Sequence, residues 1–290
     1  RFEVPALQQQ TTYLYLPAWR PGRYQIANFA KYIQQFQPKD ADGNLLSYQK
    51  VSSHCWAVAT KGVSHLTVDY NYYAAQLDAG STYLDEDQLY INPVNCAIYE
   101  GNRIAEPCRI QLKVPSDYKV ATALERTGKN TFTAHDFHHL ADSPLIASDS
   151  LKDTTLEVDG YRFHFWFLGE ANPDHEQLKA DFTGFIRKAI EPFGELPVQT
   201  YHFFYQLPAY PLVHGVEHQE STVIAIGPGY NLMNPDMYRM FLGISAHELY
   251  HTWNIKQIRP AEMTPYRYQE ANYSRLGYVA EGVTTYFGDL

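Results

Sequence analysis

His247-Glu248-Leu249-Tyr250-His251 places two imidazoles four residues apart. On a helix that spacing turns both rings to one side, close enough to share one zinc ion. The glutamate after the first histidine then stands ready to take a proton from a water activated there, the pattern of a zinc hydrolase. The flanking residues support a helix. Asn234 suits an N-cap and Pro235 the first helical position, and Met237, Met240, Phe241, Ile244, His247 and His251 recur at helical spacing. The face that carries the histidines is otherwise apolar. Two imidazoles and a carboxylate buried there without a metal or a partner would be costly.

Two histidines leave room for a third protein ligand and a water. Pro260 and Pro265 prevent the same helix from supplying it, so the candidates are Glu262, Glu270 and Glu281. Glu281 is preferred, because Leu276, Val279, Ala280, Val283, Thr284 and Phe287 describe a second packed helix around it and Gly282 allows a close backbone approach. Thr285 and Asp289 share its face and are candidates to hydrogen-bond a ligand histidine. Glu217, in Gly215-Val216-Glu217-His218-Gln219-Glu220-Ser221, precedes an alternating strand. There it is placed to meet the free amino group of a peptide laid along the sheet edge. His218 is adjacent and would shape that pocket or orient Glu217; Tyr250 reads as a packing residue.

Around this centre the chain of 290 residues is long enough for one large domain or two ordinary ones. A formal charge of -9 without basic blocks argues against a nucleic-acid partner. No apolar run approaches a membrane span and no leader is visible, although a sequence that begins at Arg1 leaves earlier processing open. Cys55, Cys96 and Cys108 form neither a ligand-spaced pair nor a disulfide framework, which favours a reducing, cytoplasmic setting over a secreted one.

The first half reads as strands. Thr11 to Leu16, Trp56 to Thr60, Ser64 to Tyr73, Gln88 to Ile91, Cys108 to Val114 and Thr155 to Val158 predict an antiparallel sandwich-like domain over residues 1–158. Within it Pro17 to Tyr24 reads as a turn anchored by Trp19 and Tyr24, with the lining of a substrate channel as the alternative. His135, Asp136, His138, His139 and Asp142 lie in a stretch from Lys129 to Ser150 that reads as a linker with a solvated or structural role. Residues 159–290 predict an α+β catalytic domain. It begins with a strand from Tyr161 to Leu168, followed by a helix from Asn172-Pro173-Asp174 with an apolar stripe from Leu178 to Ile190. Strands Gln199 to Gln206 and Ser221 to Ile226 come next, and then the histidine helix.

The chain resembles the glycyl aminopeptidase family of zinc metallopeptidases, which are gluzincins with a thermolysin-like catalytic domain. The resemblance rests on His247 to Asn254 with Lys256 and Ile258-Arg259-Pro260, on Glu281-Gly282-Val283-Thr284 with Tyr286, on Gly215-Val216-Glu217-His218 with Ser221, and on Leu16 to Tyr24. It implies His247, His251 and Glu281 as zinc ligands, Glu248 as general base, Glu217 as anchor for the substrate's amino terminus, and a preference for small first residues such as glycine or alanine. His214 stands where such proteins often carry a glycine. The resemblance also implies a later helical domain and often a PDZ domain, whereas this chain stops at Asp289-Leu290, and nothing after Glu281 can be assigned as oxyanion donor. Two other readings stay open: an endopeptidase with the same zinc chemistry, and a non-catalytic peptide-binding protein whose structural zinc is closed by Glu262 or Glu270.

Overall fold

The computed structural model describes residues 1–171 and 173–289; Asn172, at the expected start of the first long helix, and Leu290 lie outside them. The protein is α+β, with a β-rich first half and a second half that holds the long helices. In the first half, short strands with apolar residues on alternate positions build small antiparallel sheets. Leu66, Val68 and Phe36 of one sheet meet Leu14, Trp56 and Val58 of another in a shared core. The stretch from Lys129 to Ser150 is part of this half rather than a linker. It contains strands Thr131–Ala134 and Leu145–Ser148 and a short helix Phe137–Ala141, capped by Asp136, whose side chain accepts from the His139 N–H. Its histidines concealed the apolar positions Phe132, Phe137 and Leu140, all of which are buried.

The second half is built on one mixed five-stranded sheet in the order Lys152–Val158, Tyr161–Gly169, Thr200–Leu207, Ser221–Gly227, Leu212–Glu217. The strand at Thr155 to Val158, expected in the first domain, is one arm of a hairpin with Tyr161–Gly169. A division after residue 158 would cut that hairpin, so we propose that the second unit begins just before Lys152. The helix His175–Ile190 supplies the crossover between two parallel strands, as such a pair requires. Asp174 caps it through the Glu176 and Gln177 N–H groups, and Leu178, Phe182 and Ile186 are fully buried against the sheet. Beside them lie Phe165, Phe203, Tyr205 and, from the histidine helix, Phe241 and Leu249. No helix among the described residues is long and apolar enough to cross a membrane.

Leu212–Glu217 is a strand that the sequence conceals, because His214 and Gly215 interrupt its apolar pattern. It pairs antiparallel with Ser221–Gly227 and forms the edge of the sheet, so Glu217 closes a strand instead of standing in a loop.

On the opposite side of the sheet centre, His202 accepts the Trp166 indole N–H at Nδ1, 3.1 Å away, and stacks on His164 with ring centroids 4.7 Å apart. Burial, with His164 beside it, lowers its pKa to about 3. An unfolded histidine takes its proton near pH 6.5, so protonation favours the unfolded chain throughout that window. Stability from this group is complete above about pH 6.5 and falls toward pH 3 by up to about 1.4 kcal/mol per pH unit. Denaturant midpoints measured between pH 7 and pH 5 should therefore fall, and more steeply for the native protein than for His202→Asn, whose amide oxygen still accepts the indole N–H. Equal slopes would remove His202 as the cause.

Candidate metal centre

The helix Pro235–Tyr250 starts as its sequence dictates, with the Asn234 side chain accepting from the Asp236 N–H and Pro235 at the first position. Tyr238, Phe241, Ser245 and Leu249 form its buried side, whereas Met240 is exposed. The face that carries the histidines is thus partly exposed at Met240 and His247, not a wholly apolar core face. His251 closes the helix while still in helical conformation, which keeps its ring in line with His247.

The two histidine Nε2 atoms lie 3.1 Å apart, and Glu281 Oε2 is 3.6 Å from that of His247 and 3.7 Å from that of His251. Four ligands at about 2.0–2.1 Å from one zinc ion lie about 3.3 Å from each other. The donor set therefore fits a zinc-sized cation. The orientation of His251 agrees, because its Nδ1 is 2.8 Å from the Asn254 carbonyl oxygen and so carries the proton, leaving the Nε2 lone pair toward the other two groups. Thr285 Oγ1 stands 3.5 Å from His247 Nδ1. Thr284 Oγ1 is 3.5 Å from His251 Nδ1. Asp289 is exposed, and among the described residues it makes no hydrogen bond or ion pair with a histidine.

Glu281 sits in a π-helical turn, Val279–Val283, that leads into the helix Thr284–Asp289. Such widened turns are frequent at functional sites. Asn254 ties this turn to the histidines by donating from Nδ2 to the Val279 and Ala280 carbonyls and to Thr284 Oγ1. The expected packed helix is only half so. Ala280 and Thr284 are buried, while Leu276, Val283 and Phe287 are exposed. The glycine of close approach is Gly288, where a Cβ would stand 3.0 Å from the His247 Cα; Gly282 has open space around it. Glycine in a helix marks tight packing only if a neighbour is there, and sequence does not place the neighbour.

Glu248 is buried, and among the described residues its Oε2 has no hydrogen-bond partner. Beside it runs the edge strand, whose Gly215 leaves the space that the carboxylate fills, since a Cβ there would overlap Glu248. Burial, helped by Glu217 and Glu281 and opposed by His251 and Lys256, pushes the Glu248 pKa up to about 8. Burial alone would lower His251, but Glu281, Glu217 and Glu248 outweigh it and raise it to about 9. Three carboxylates around two histidines leave an excess of negative charge that a divalent cation would neutralise. Glu217 is buried as well and joins the same cluster, with ligand atoms of Glu217, Glu248 and His251 within 4.8 Å of one another. Glu262 and Glu270, the other candidate ligands, are exposed and belong to neither cluster.

His218 is buried and links the two halves of the protein. Its Nδ1 is 3.0 Å from Asp142 Oδ1, Lys256 Nζ donates to the same oxygen at 2.9 Å, and the Gln219 N–H donates to Oδ2 at 2.9 Å. Burial alone would raise Asp142, yet Lys256 and His218 hold it well below the usual carboxylate range. No local pattern marks the meeting of Asp142 and Lys256, 114 residues apart.

Family models match residues 1–149 as the Peptidase M61 N-terminal domain and residues 240–290 as M61 glycyl aminopeptidase. The chain belongs to the M61 glycyl aminopeptidase family. Among solved structures, an aminopeptidase N family protein from Idiomarina loihiensis is similar over 99% of this M61 chain and 50% of its own, with 28% identity and a TM-score of 0.90. This chain thus spans about half the length of that relative. An M1 zinc metallopeptidase from Deinococcus radiodurans matches 87% of this chain and 58% of its own at 14% identity, with a TM-score of 0.49. No curated protein matches. The M61 segment at residues 240–290 contains His247, Glu248, His251 and Glu281, while Glu217 lies outside both matched segments.

Proposed function

We propose that this protein carries the chemistry of a zinc-dependent aminopeptidase that releases small first residues, such as glycine or alanine, from peptides with a free amino terminus. The observation that carries the proposal is the packing of Glu217, at the end of an edge strand, against the Glu248–His251 side of the His247–His251–Glu281 cluster. A sheet edge running beside the histidine helix is the layout of a thermolysin-like catalytic domain, and we assign the second half of the chain to it.

His247, His251 and Glu281 would hold the zinc, which when bound supplies a Lewis acid for the scissile carbonyl and for a water. Glu248 takes the proton of the attacking water and passes it to the leaving amine, a task suited to a carboxylate whose burial raises its pKa. Glu217 accepts from the substrate ammonium, so that only the first peptide bond reaches Glu248. Thr285 would steady His247, and the Asn254 carbonyl steadies His251. His218, next to Glu217 in the chain, would fix the end of the edge strand through its pairing with Asp142. The exposed positions of Glu262 and Glu270 favour an open site over a structural zinc closed by four protein ligands.

The test compares glycyl and alanyl chromogenic amides with their N-acetylated forms, using the full gene product with its zinc content measured and Glu217→Gln beside it. Hydrolysis confined to free amino termini and weakened in Glu217→Gln is expected. Equal cleavage of the acetylated forms would make the enzyme an endopeptidase, and stoichiometric zinc without hydrolysis would make the metal structural.

A further inference from the structure

The turn Pro21 to Tyr24 belongs to the first half of the chain, yet it lies against the amino-end anchor. Tyr24 Oη is 3.4 Å from Glu217 Oε1, and a Cβ on Gly22 would stand 2.8 Å from Glu217 Oε2. The turn is held rigidly. The Ala18 and Trp19 N–H groups donate to the Tyr268 carbonyl at 2.7 and 2.9 Å, Trp19 is fully buried, and Arg23 pairs with Asp78 at 2.7 Å. Gly22 takes φ +79° and Tyr24 itself φ +49°, a left-handed conformation uncommon for an aromatic residue. Backbone strain of this kind persists where the surroundings enforce it.

A substrate's amino nitrogen and the carbonyl carbon of the same residue are only about 2.5 Å apart. A first residue with its ammonium on Glu217 and its carbonyl at the His247–His251–Glu281 cluster therefore has its Cα between Glu217 and that cluster. Tyr24 reaches the Glu217 end of this span from the first half of the chain. We propose that Tyr24 is the specificity-determining residue of this enzyme: its hydroxyl donates to Glu217, and its ring occupies the space into which a first side chain larger than a methyl group would extend. The inference rests on the aminopeptidase reading above and adds to it the physical reason for small first residues.

The test uses the full gene product and kcat/KM for glycyl, alanyl and leucyl p-nitroanilides. Tyr24→Ala opens the space and is expected to raise the leucyl-to-glycyl ratio by about tenfold or more, the scale on which a pocket discriminates methylene groups. Tyr24→Trp narrows it and should lower the alanyl-to-glycyl ratio. Tyr24→Phe keeps the ring, and so the ratios, while raising KM for all three substrates through a less firmly held Glu217. A merely structural tyrosine would change all substrates alike. Ratios unchanged from the native enzyme in Tyr24→Trp, or in a folded, zinc-loaded Tyr24→Ala, would overturn the proposal while leaving the aminopeptidase reading intact. Native enzyme that cleaves acetylated substrates equally well would overturn both.

Discussion

Glu248→Gln is expected to lower kcat by about 10²–10⁴-fold, the usual contribution of a positioned general base, without releasing the metal. The carboxylate is not among the three groups whose spacing fits a zinc ion, so zinc stoichiometry should match that of the native protein. The amide has almost the same shape and still fits the space left by Gly215. What it lacks is the capacity to accept a proton. Because Glu248 Oε2 has no partner among the described residues, the exchange breaks no hydrogen bond there. The variant also removes a buried group that is costly to ionise, so its thermal stability should hold or rise. Metal analysis and steady-state kinetics on one preparation check this. A variant with full zinc and more than a tenth of the native kcat would remove Glu248 from the reaction.

The largest effect on stability is expected from Lys256→Met. Lys256 is buried with its ammonium 2.9 Å from Asp142, and removing one member of a buried ion pair leaves the other charge uncompensated. That typically costs about 3–5 kcal/mol, a drop in Tm on the order of 10 °C for a chain of this size. Asp142 retains His218 and the Gln219 N–H, so the double variant Asp142→Asn/Lys256→Met should lose less than the sum of the single changes. The pH dependence has a definite sign. Asp142 is depressed in the fold, so its contribution is present above the ordinary carboxylate pKa of about 4 and is lost as the pH falls through its lower folded value. Thermal scans at pH 7 and pH 3 should thus show a gap between the native protein and Lys256→Met that narrows at the second without closing. A Lys256→Met variant within about 0.5 kcal/mol of native at pH 7, the range of ordinary surface changes, would show that the pair adds nothing.

The metal centre was legible because its signal is local. His247, Glu248 and His251 lie within one helical turn and a half, and Asn234 and Pro235 announce that helix. Glu281 needed a second helix to be read, and it does lie beside the two histidines, but the reading misjudged its surroundings, since the apolar positions Leu276, Val283 and Phe287 face outward. The edge strand Leu212–Glu217 was not legible. Strand patterns depend on alternation, and here one position is a glycine required by Glu248 and another is His214, whose Nδ1 lies 3.6 Å from Asp78. The cluster from His135 to Asp142 misled for a related reason. Polar residues suggest a solvated segment, but Asp142 is spent on Lys256 and His218 far along the chain, and no periodicity records a pairing of that range.

That pairing also bears on how such a protein can be taken apart or recombined. Asp142 ends a helix of the β-rich half, while its three partners all belong to the second half. A graft that exchanges the first half for one from a distant relative would leave Lys256 and His218 with whatever stands at the position of Asp142. Chimeras should therefore assemble only when the acid and its two bases come from compatible parents, so the seam between the halves, more than either core, sets which combinations are inherited together.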